Sequence, residues 1–108
     1  MAKSEKVTQL QVMQQNLQNI LVQKQQFQMQ LNEFESAISE LKESKQVYKI
    51  ISNIMVLSDS ADLKKDLEEK KRIIELRIKS IESQEDKLRK NSEELQKEVM
   101  ADYEKKQD

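Results

Sequence analysis

Apolar residues in the N-terminal part of the chain recur at alternating spacings of three and four positions. One series is Leu10, Leu17, Leu31 and Ile38, with Lys24 at its centre, and its companion is Met13, Ile20, Phe27, Phe34 and Leu41. Such spacing places all these side chains on one face of a helix. Because the pattern persists over several heptads, it predicts a coiled-coil helix over about residues 4–44.

A second periodic segment follows in the C-terminal half of the chain. Its clear series is Leu67, Ile74, Ile81, Leu88 and Leu95. The companion series is ambiguous, because either of two adjacent residues could fill each of its positions. The candidates are Lys70 or Lys71, Arg77 or Ile78, Gln84 or Glu85, and Asn91 or Ser92. We expect a second helix over about residues 60–105, with Ser58, Asp59 or Ser60 as its N-terminal cap.

The two clear series coincide if the chain folds back at Ser52 and Asn53. The apolar residues then pair as Leu10 with Leu95, Leu17 with Leu88, Leu31 with Ile74, and Ile38 with Leu67. A single antiparallel coiled-coil hairpin therefore explains both periodic segments.

The stretch VYKIISNIMVL, residues 47–57, interrupts the heptad pattern with β-branched and aromatic residues, which are typical of strands. A two-residue turn at Ser52–Asn53 predicts a β-hairpin, and Asn53 tolerates the left-handed backbone of such turns more readily than Ser52. The predicted pairs are Ile51 with Ile54, Ile50 with Met55, and Tyr48 with Leu57. A continuous helix is the alternative, which the β-branched density and the lost heptad phase disfavour.

One face of this hairpin is wholly apolar, and its edges leave backbone groups unpaired. A two-stranded hairpin alone is marginal in water. We therefore expect it to join hairpins of other chains into a larger sheet or barrel, through Tyr48, Ile50, Ile51, Ile54, Met55, Val56 and Leu57. The predicted fold class is dominated by α-helix: a long antiparallel coiled-coil hairpin with one central β-hairpin that joins an oligomeric β-barrel platform.

Composition supports a helical protein and excludes several functions. The chain has no Gly or Pro, which loops normally require, and 36% of its residues are charged. Nineteen basic and twenty acidic residues are interspersed, so no basic stripe for nucleic acid is expected. The sequence contains neither a hydrophobic signal core nor an apolar run of membrane-spanning length, which makes the cytoplasm the expected location. The Gln-rich tract from residue 9 to residue 30 is either a solvated helix face or an aggregation-prone low-complexity segment, and the apolar series running through it favour the helix face.

Enzymatic function is not expected. The chain contains no His or Cys to act as nucleophile, general base or soft metal ligand, and no Gly-rich loop to hold a phosphate. We therefore predict no catalytic residue, no cofactor and no metal site.

Three segments together resemble the β-class subunits of prefoldin, the hexameric chaperone of archaea and eukaryotes. They are LVQKQQFQMQLNE (residues 21–33), VYKIISNIMV (47–56) and ELRIKSIESQEDKL (75–88). The most specific parts are the Tyr48–Lys49 pair and the run containing Leu76, Arg77, Ile81, Glu82, Gln84 and Glu85. Ser52 departs from the family, which usually has Gly before the Asn. An α-class subunit would need a second hairpin, and the sequence has no second apolar strand block.

The resemblance implies a single prefoldin-like domain over residues 1–108. It also implies an α2β4 hetero-hexamer, in which four such chains join two α-class subunits through a double β-barrel. The six coiled-coil arms would hold unfolded client proteins and deliver them to a group II chaperonin without ATP.

Client binding at the arm tips is expected of the apolar residues near both termini, namely Val7, Leu10, Val12, Met13, Leu95, Val99 and Met100. The alternative is a coiled-coil scaffold or tether that merely oligomerises through its hairpin. A scaffold should keep the contact surface between its two helices, which we call the seam, packed to the ends. A client-binding arm should instead leave apolar side chains available there. Fraying of the helix ends would give the same sequence pattern.

Overall fold

The computed structural model describes residues 3–41 and 46–107, which form two helices joined through a β-hairpin. The elements are α1 (Lys3–Glu40), β1 (Gln46–Ile51), β2 (Ile54–Asp59) and α2 (Ser60–Gln107). This order confirms the predicted helix, hairpin, helix architecture. Helix α1 ends at Glu40, and the predicted end near residue 44 lies outside the described residues.

One compact unit contains residues 1–25 and 79–108, insofar as the structure describes them. In it, Lys6 of α1 lies beside Glu98 and Asp102 of α2, whereas Lys24 lies beside Glu82 and Glu85. The two helix segments are therefore antiparallel, as predicted. Their shared core includes Ile81 and Leu95, which are 5% and 8% exposed.

The other compact unit contains residues 26–78 and includes the hairpin. Here Glu35 of α1 contacts Lys71 of α2, with 3.7 Å between Oε1 and Nζ. Ile74 and Leu41 form the buried part of this core. The Ser60 hydroxyl donates a hydrogen bond to the carbonyl oxygen of Leu41, at 3.4 Å, and so joins the end of α1 to the start of α2.

The exposure of the side chains along α2 shows which residues belong to the companion series of the seam. The half-buried members are Lys71, Ile78, Glu85 and Ser92, whereas their neighbours Lys70, Arg77, Gln84 and Asn91 are exposed. Half-buried positions therefore alternate at spacings of three and four along α2, as in a coiled coil. Only one of the four companion positions is apolar.

The hairpin has the predicted register. Ile51 pairs with Ile54, Ile50 with Met55, and Tyr48 with Leu57 in an antiparallel ladder. Within the described residues, Ser52 alone has a positive φ, of 54°. A left-handed first turn residue followed by one with negative φ is the pattern of a type II′ turn, whose first position favours Gly. The strained position is thus Ser52, although Asn53 tolerates the left-handed region more readily.

Helix α2 begins with a side-chain cap. The backbone N–H of Ala61 donates to Asp59 Oδ1 at 2.9 Å. This contact satisfies one of the free donors in the first helical turn, and the negative charge also complements the helix dipole. Of the three candidate caps, Asp59 therefore fills the role.

Candidate functional site

The hairpin carries an exposed apolar face. Its members, which we call the apolar hairpin face, are Tyr48, Ile50, Met55 and Leu57, and they are 67%, 70%, 64% and 55% exposed. They lie on one side because Tyr48 pairs with Leu57 and Ile50 pairs with Met55, and side chains alternate across a strand. The single chain thus presents four adjacent large apolar side chains to water.

The opposite side of the hairpin is turned towards α2. Val47, Lys49 and Ser58 are half-buried there. The Lys49 ammonium lies 3.8 Å from Asp66 Oδ2, which is also 3.2 Å from the ammonium of Lys70. The apolar hairpin face lies on the other side of the strands from this contact. Nearer the turn, Ile51, Ile54 and Val56 are 53%, 66% and 41% exposed, so all seven predicted oligomerisation residues are accessible.

The predicted client-binding residues fall into three groups. Val7, Val12 and Met100 are exposed, at 37%, 55% and 55%, and we call them the arm-end residues. Leu10, Met13 and Val99 are half-buried in the seam. Leu95 is only 8% exposed and belongs to the core between the helices.

An ion pair joins the two helices at this end of the unit. The Lys6 ammonium donates a hydrogen bond to Asp102 Oδ2 at 2.7 Å, and Glu98 Oε2 lies 3.8 Å from the same nitrogen. The hydrogen bond to Lys6 holds the pKa of Asp102 below its ordinary value, while the hydrogen bond to Asp102, aided by both carboxylate charges, raises the pKa of Lys6. The sequence interpretation missed this pair, although Lys6 continues the heptad spacing ahead of Leu10.

A second polar contact crosses the seam at Lys24. Its ammonium donates to Glu85 Oε1 at 3.4 Å and lies 3.9 Å from Glu82 Oε1. The Glu85 side chain is only 13% exposed, so its charge needs a nearby partner. This pair explains why a lysine can stand at the centre of an otherwise apolar series.

The described residues contain neither a cluster that could bind a metal nor a helix that could cross a membrane. No group of three or more acidic side chains in residues 3–41 and 46–107 could hold a metal ion. Over the same residues, neither helix combines the length and the apolar character needed to cross a membrane. Two groups of exposed apolar side chains stand out in the described residues, the apolar hairpin face and the arm-end residues.

Comparison with known proteins identifies the family to which this chain belongs. The sequence model of the family described as prefoldin subunit matches residues 4–106. The chain belongs to the prefoldin family. The prefoldin subunit beta of Archaeoglobus fulgidus is 40% identical over 96 residues, which cover 86% of this chain and 83% of the relative. The prefoldin subunit beta of Methanospirillum hungatei is 36% identical over 101 residues, covering 91% and 84% of the two chains.

The fold is also that of a prefoldin subunit. The crystal structure of the prefoldin beta subunit from Thermococcus strain KS-1 superposes with a TM-score of 0.86 and 29% sequence identity. The match covers 92% of this chain and 90% of that one. The resemblance to β-class prefoldin subunits is thereby confirmed.

Proposed function

We propose that this chain is a β-class subunit of an ATP-independent prefoldin chaperone. Four copies would join two α-class subunits through their hairpins, hold unfolded proteins at the ends of the helix pairs and pass them to a group II chaperonin. The same proposal takes residues 1–108 as one domain, places the complex in the cytoplasm and assigns it no enzymatic activity. Membership of the prefoldin family supports the chaperone role.

The apolar hairpin face supports assembly. Tyr48 and Ile50 are 67% and 70% exposed in the single chain, which is a costly arrangement unless another chain covers them. Within residues 3–41 and 46–107 the sheet consists of two strands, so both of its outer edges are open to strands of other chains. Hairpins of other subunits offer matching edges and apolar faces.

The observation that carries client binding is the exposure of Val7, Val12 and Met100 at a helix-pair end that the Lys6–Asp102 pair holds together. Met suits varied partners because its side chain is unbranched and polarizable. Several such ends acting on one client would add weak contacts into useful avidity. Since Leu95 is buried, the proposed contact surface consists of the three arm-end residues, with Leu10, Met13 and Val99 packing behind them.

The test replaces the three arm-end residues together by glutamine, as V7Q/V12Q/M100Q. Glutamine is a good helix former, and all three positions are exposed, so the fold should persist. Complexes assembled with the α-class subunit are mixed with a chemically denatured test protein, and its aggregation is followed by light scattering. We expect the variant to assemble at wild-type mass and to lose most of its protection.

The matched control is I73Q/L76Q, which removes apolar side chains of similar exposure, 45% and 62%, from the surface of α2. This control should protect like the wild type. Equal protection by the arm-end variant and the wild type would contradict client binding at these residues.

A coiled-coil scaffold remains the second candidate because one observation favours it. The seam stays ordered to its end, with Leu95 at 8% exposure and Lys6 bonded to Asp102. A scaffold would assemble through the hairpin but would not suppress aggregation, even as the wild type. The same light-scattering experiment therefore separates the two candidates.

A further inference from the structure

The two helices of the unit formed by residues 1–25 and 79–108 differ sharply in charge. Between Lys6 and Lys24, α1 contains no charged residue, and most of its exposed positions there are Gln or Asn. The facing segment of α2 is densely charged, with runs such as Asp86–Lys87 and Arg89–Lys90. Helix propensity alone does not require this difference, since Glu, Lys and Gln are similarly good helix formers.

The uncharged segment also exposes apolar side chains. Val7, Val12, Leu21 and Val22 are 37%, 55%, 42% and 44% exposed, whereas the seam residues of this segment are half-buried. We call the exposed residues of positions 7–23 the neutral α1 face. It begins at the arm-end residues Val7 and Val12 and continues along the helix.

The spacing of these exposed residues argues against a second helix as the occupant. Helices that pack along one another require apolar residues at regular spacings of three and four. The steps from Val7 to Val12, to Leu21 and to Val22 follow no such repeat. A partner without a fixed register fits this irregular surface better than another copy of the chain.

Amide side chains give the face a second property. Each Gln or Asn can donate and accept hydrogen bonds, and so can pair with the backbone groups of an extended chain. The Gln15 amide nitrogen donates to Asn19 Oδ1 at 3.4 Å on the exposed surface, which leaves further donors and acceptors of both residues for a partner. A surface with no charge also neither attracts nor repels a partner according to its sign.

We propose that the neutral α1 face is a contact surface for an unfolded polypeptide, and that its lack of charge makes the contact independent of the client's net charge. This inference deepens the proposed function and rests on it. From Val7 to Val22 the helix rises about 22 Å. An extended client segment of about six or seven residues would cover that length.

The test adds charge to the face without removing apolar area. Gln14 and Gln18 are exposed and one helical turn apart. The variants Q14K/Q18K and Q14E/Q18E are assembled with the α-class subunit and assayed against two denatured test proteins, one basic and one acidic. The matched controls S80K/Q84K and S80E/Q84E place the same charges at two exposed positions, also one turn apart, on α2.

The wild type should protect both test proteins at similar complex concentrations. The lysine variant should require about threefold more complex for the basic protein, and the glutamate variant about threefold more for the acidic one, as expected for exposed like charges. Added salt should reduce both differences because it screens exposed charges. The α2 controls should show no such selectivity.

A third variant, L21Q/V22Q, adds no charge. It tests the same face if the charged variants disturb assembly. It should weaken protection of both test proteins equally. Two outcomes would overturn the inference, provided that V7Q/V12Q/M100Q still loses protection. In the first, the α1 and α2 charge variants protect the two test proteins alike. In the second, L21Q/V22Q protects them as fully as the wild type. Either outcome would leave the proposed function standing. A wild-type complex that fails to protect either test protein would overturn both.

A further outcome would assign the face to another occupant. If sedimentation shows that wild-type complexes self-associate, and Q14K/Q18K abolishes this without any client selectivity, the face is an interface between arms. The proposed contact with unfolded chains would then be wrong.

Discussion

Charging the apolar hairpin face should abolish assembly while leaving the helices intact. The double substitution Ile50→Asp and Met55→Asp places two carboxylates at positions that pair across the two strands. Both side chains are exposed in the single chain, at 70% and 64%, so the isolated subunit loses little packing. The penalty falls on the assembled state, in which we propose that this face is covered.

The magnitude follows from the exposures. The four side chains of the face are 55–70% exposed, and full burial of a large apolar side chain stabilises by about 1.5–3 kcal/mol. Covering them therefore supplies about 1–2 kcal/mol each, or about 4–8 kcal/mol per chain. The double substitution removes about half of this gain and adds the cost of burying two carboxylates, which is several kcal/mol more. A combined loss above about 5.5 kcal/mol weakens association by about four orders of magnitude.

Light scattering coupled to size exclusion, on mixtures with the α-class subunit, measures the mass of the assembly. Circular dichroism checks that the helices persist. The matched control is I73D/L76D on the surface of α2, where the original side chains are 45% and 62% exposed. We expect the control to assemble like the wild type. An I50D/M55D variant that reaches wild-type mass would refute the idea that this face is buried between subunits.

Three further predictions concern stability. Ile81→Ala removes a side chain that is 5% exposed and should cost about 2–5 kcal/mol, whereas Leu76→Ala, at 62% exposure, should cost less than about 0.5 kcal/mol in thermal melts at equal protein concentration. Ser52→Gly should stabilise by about 0.5–1 kcal/mol, because relief of the positive φ exceeds the entropy cost of glycine, and an unchanged melting temperature would contradict this. The Lys6–Asp102 pair should stabilise the folded chain over a defined pH range. Because the pKa of Asp102 is lowered, the contribution of the pair to the free energy of unfolding declines as pH falls below the ordinary value of 3.8. The raised pKa of Lys6 makes this contribution decline as pH rises above 10.5, so the stability lost in D102N, measured by thermal melts at each pH, should be constant between these limits and shrink progressively outside them.

The hairpin register was predictable from sequence because side chains alternate strictly along a strand. A slip of one residue would turn the apolar residues of one strand to the other side, and a two-residue turn at Ser52–Asn53 then fixes which residues pair. The position of the strained residue was not predictable in the same way. Residue preference points to Asn53 for a left-handed backbone, but the twist of this two-residue turn places the positive φ at Ser52.

The polar part of the seam could be identified only with the partner helix in place. Seam positions recur on average every three and a half residues along a helix. This spacing allows either Gln84 or Glu85 in the seam, because the two residues are adjacent. The decision comes from Lys24, whose ammonium lies 3.4 Å from Glu85. A buried charge is costly unless it is paired, so the residue that can pair with lysine occupies the seam.

These ion pairs also favour one register of α1 and α2 within this unit. An apolar heptad pattern is satisfied equally well after a shift of seven residues. A shift in one direction would move Lys24 from Glu82 to Arg89 and Lys6 from Glu98 to Lys105, opposing like charges. A shift in the other direction would move Lys6 from Asp102 to Leu95 and leave its charge against an apolar core. Both slips separate Lys6 from Asp102, so this pair favours the observed register of the two helix segments within this unit.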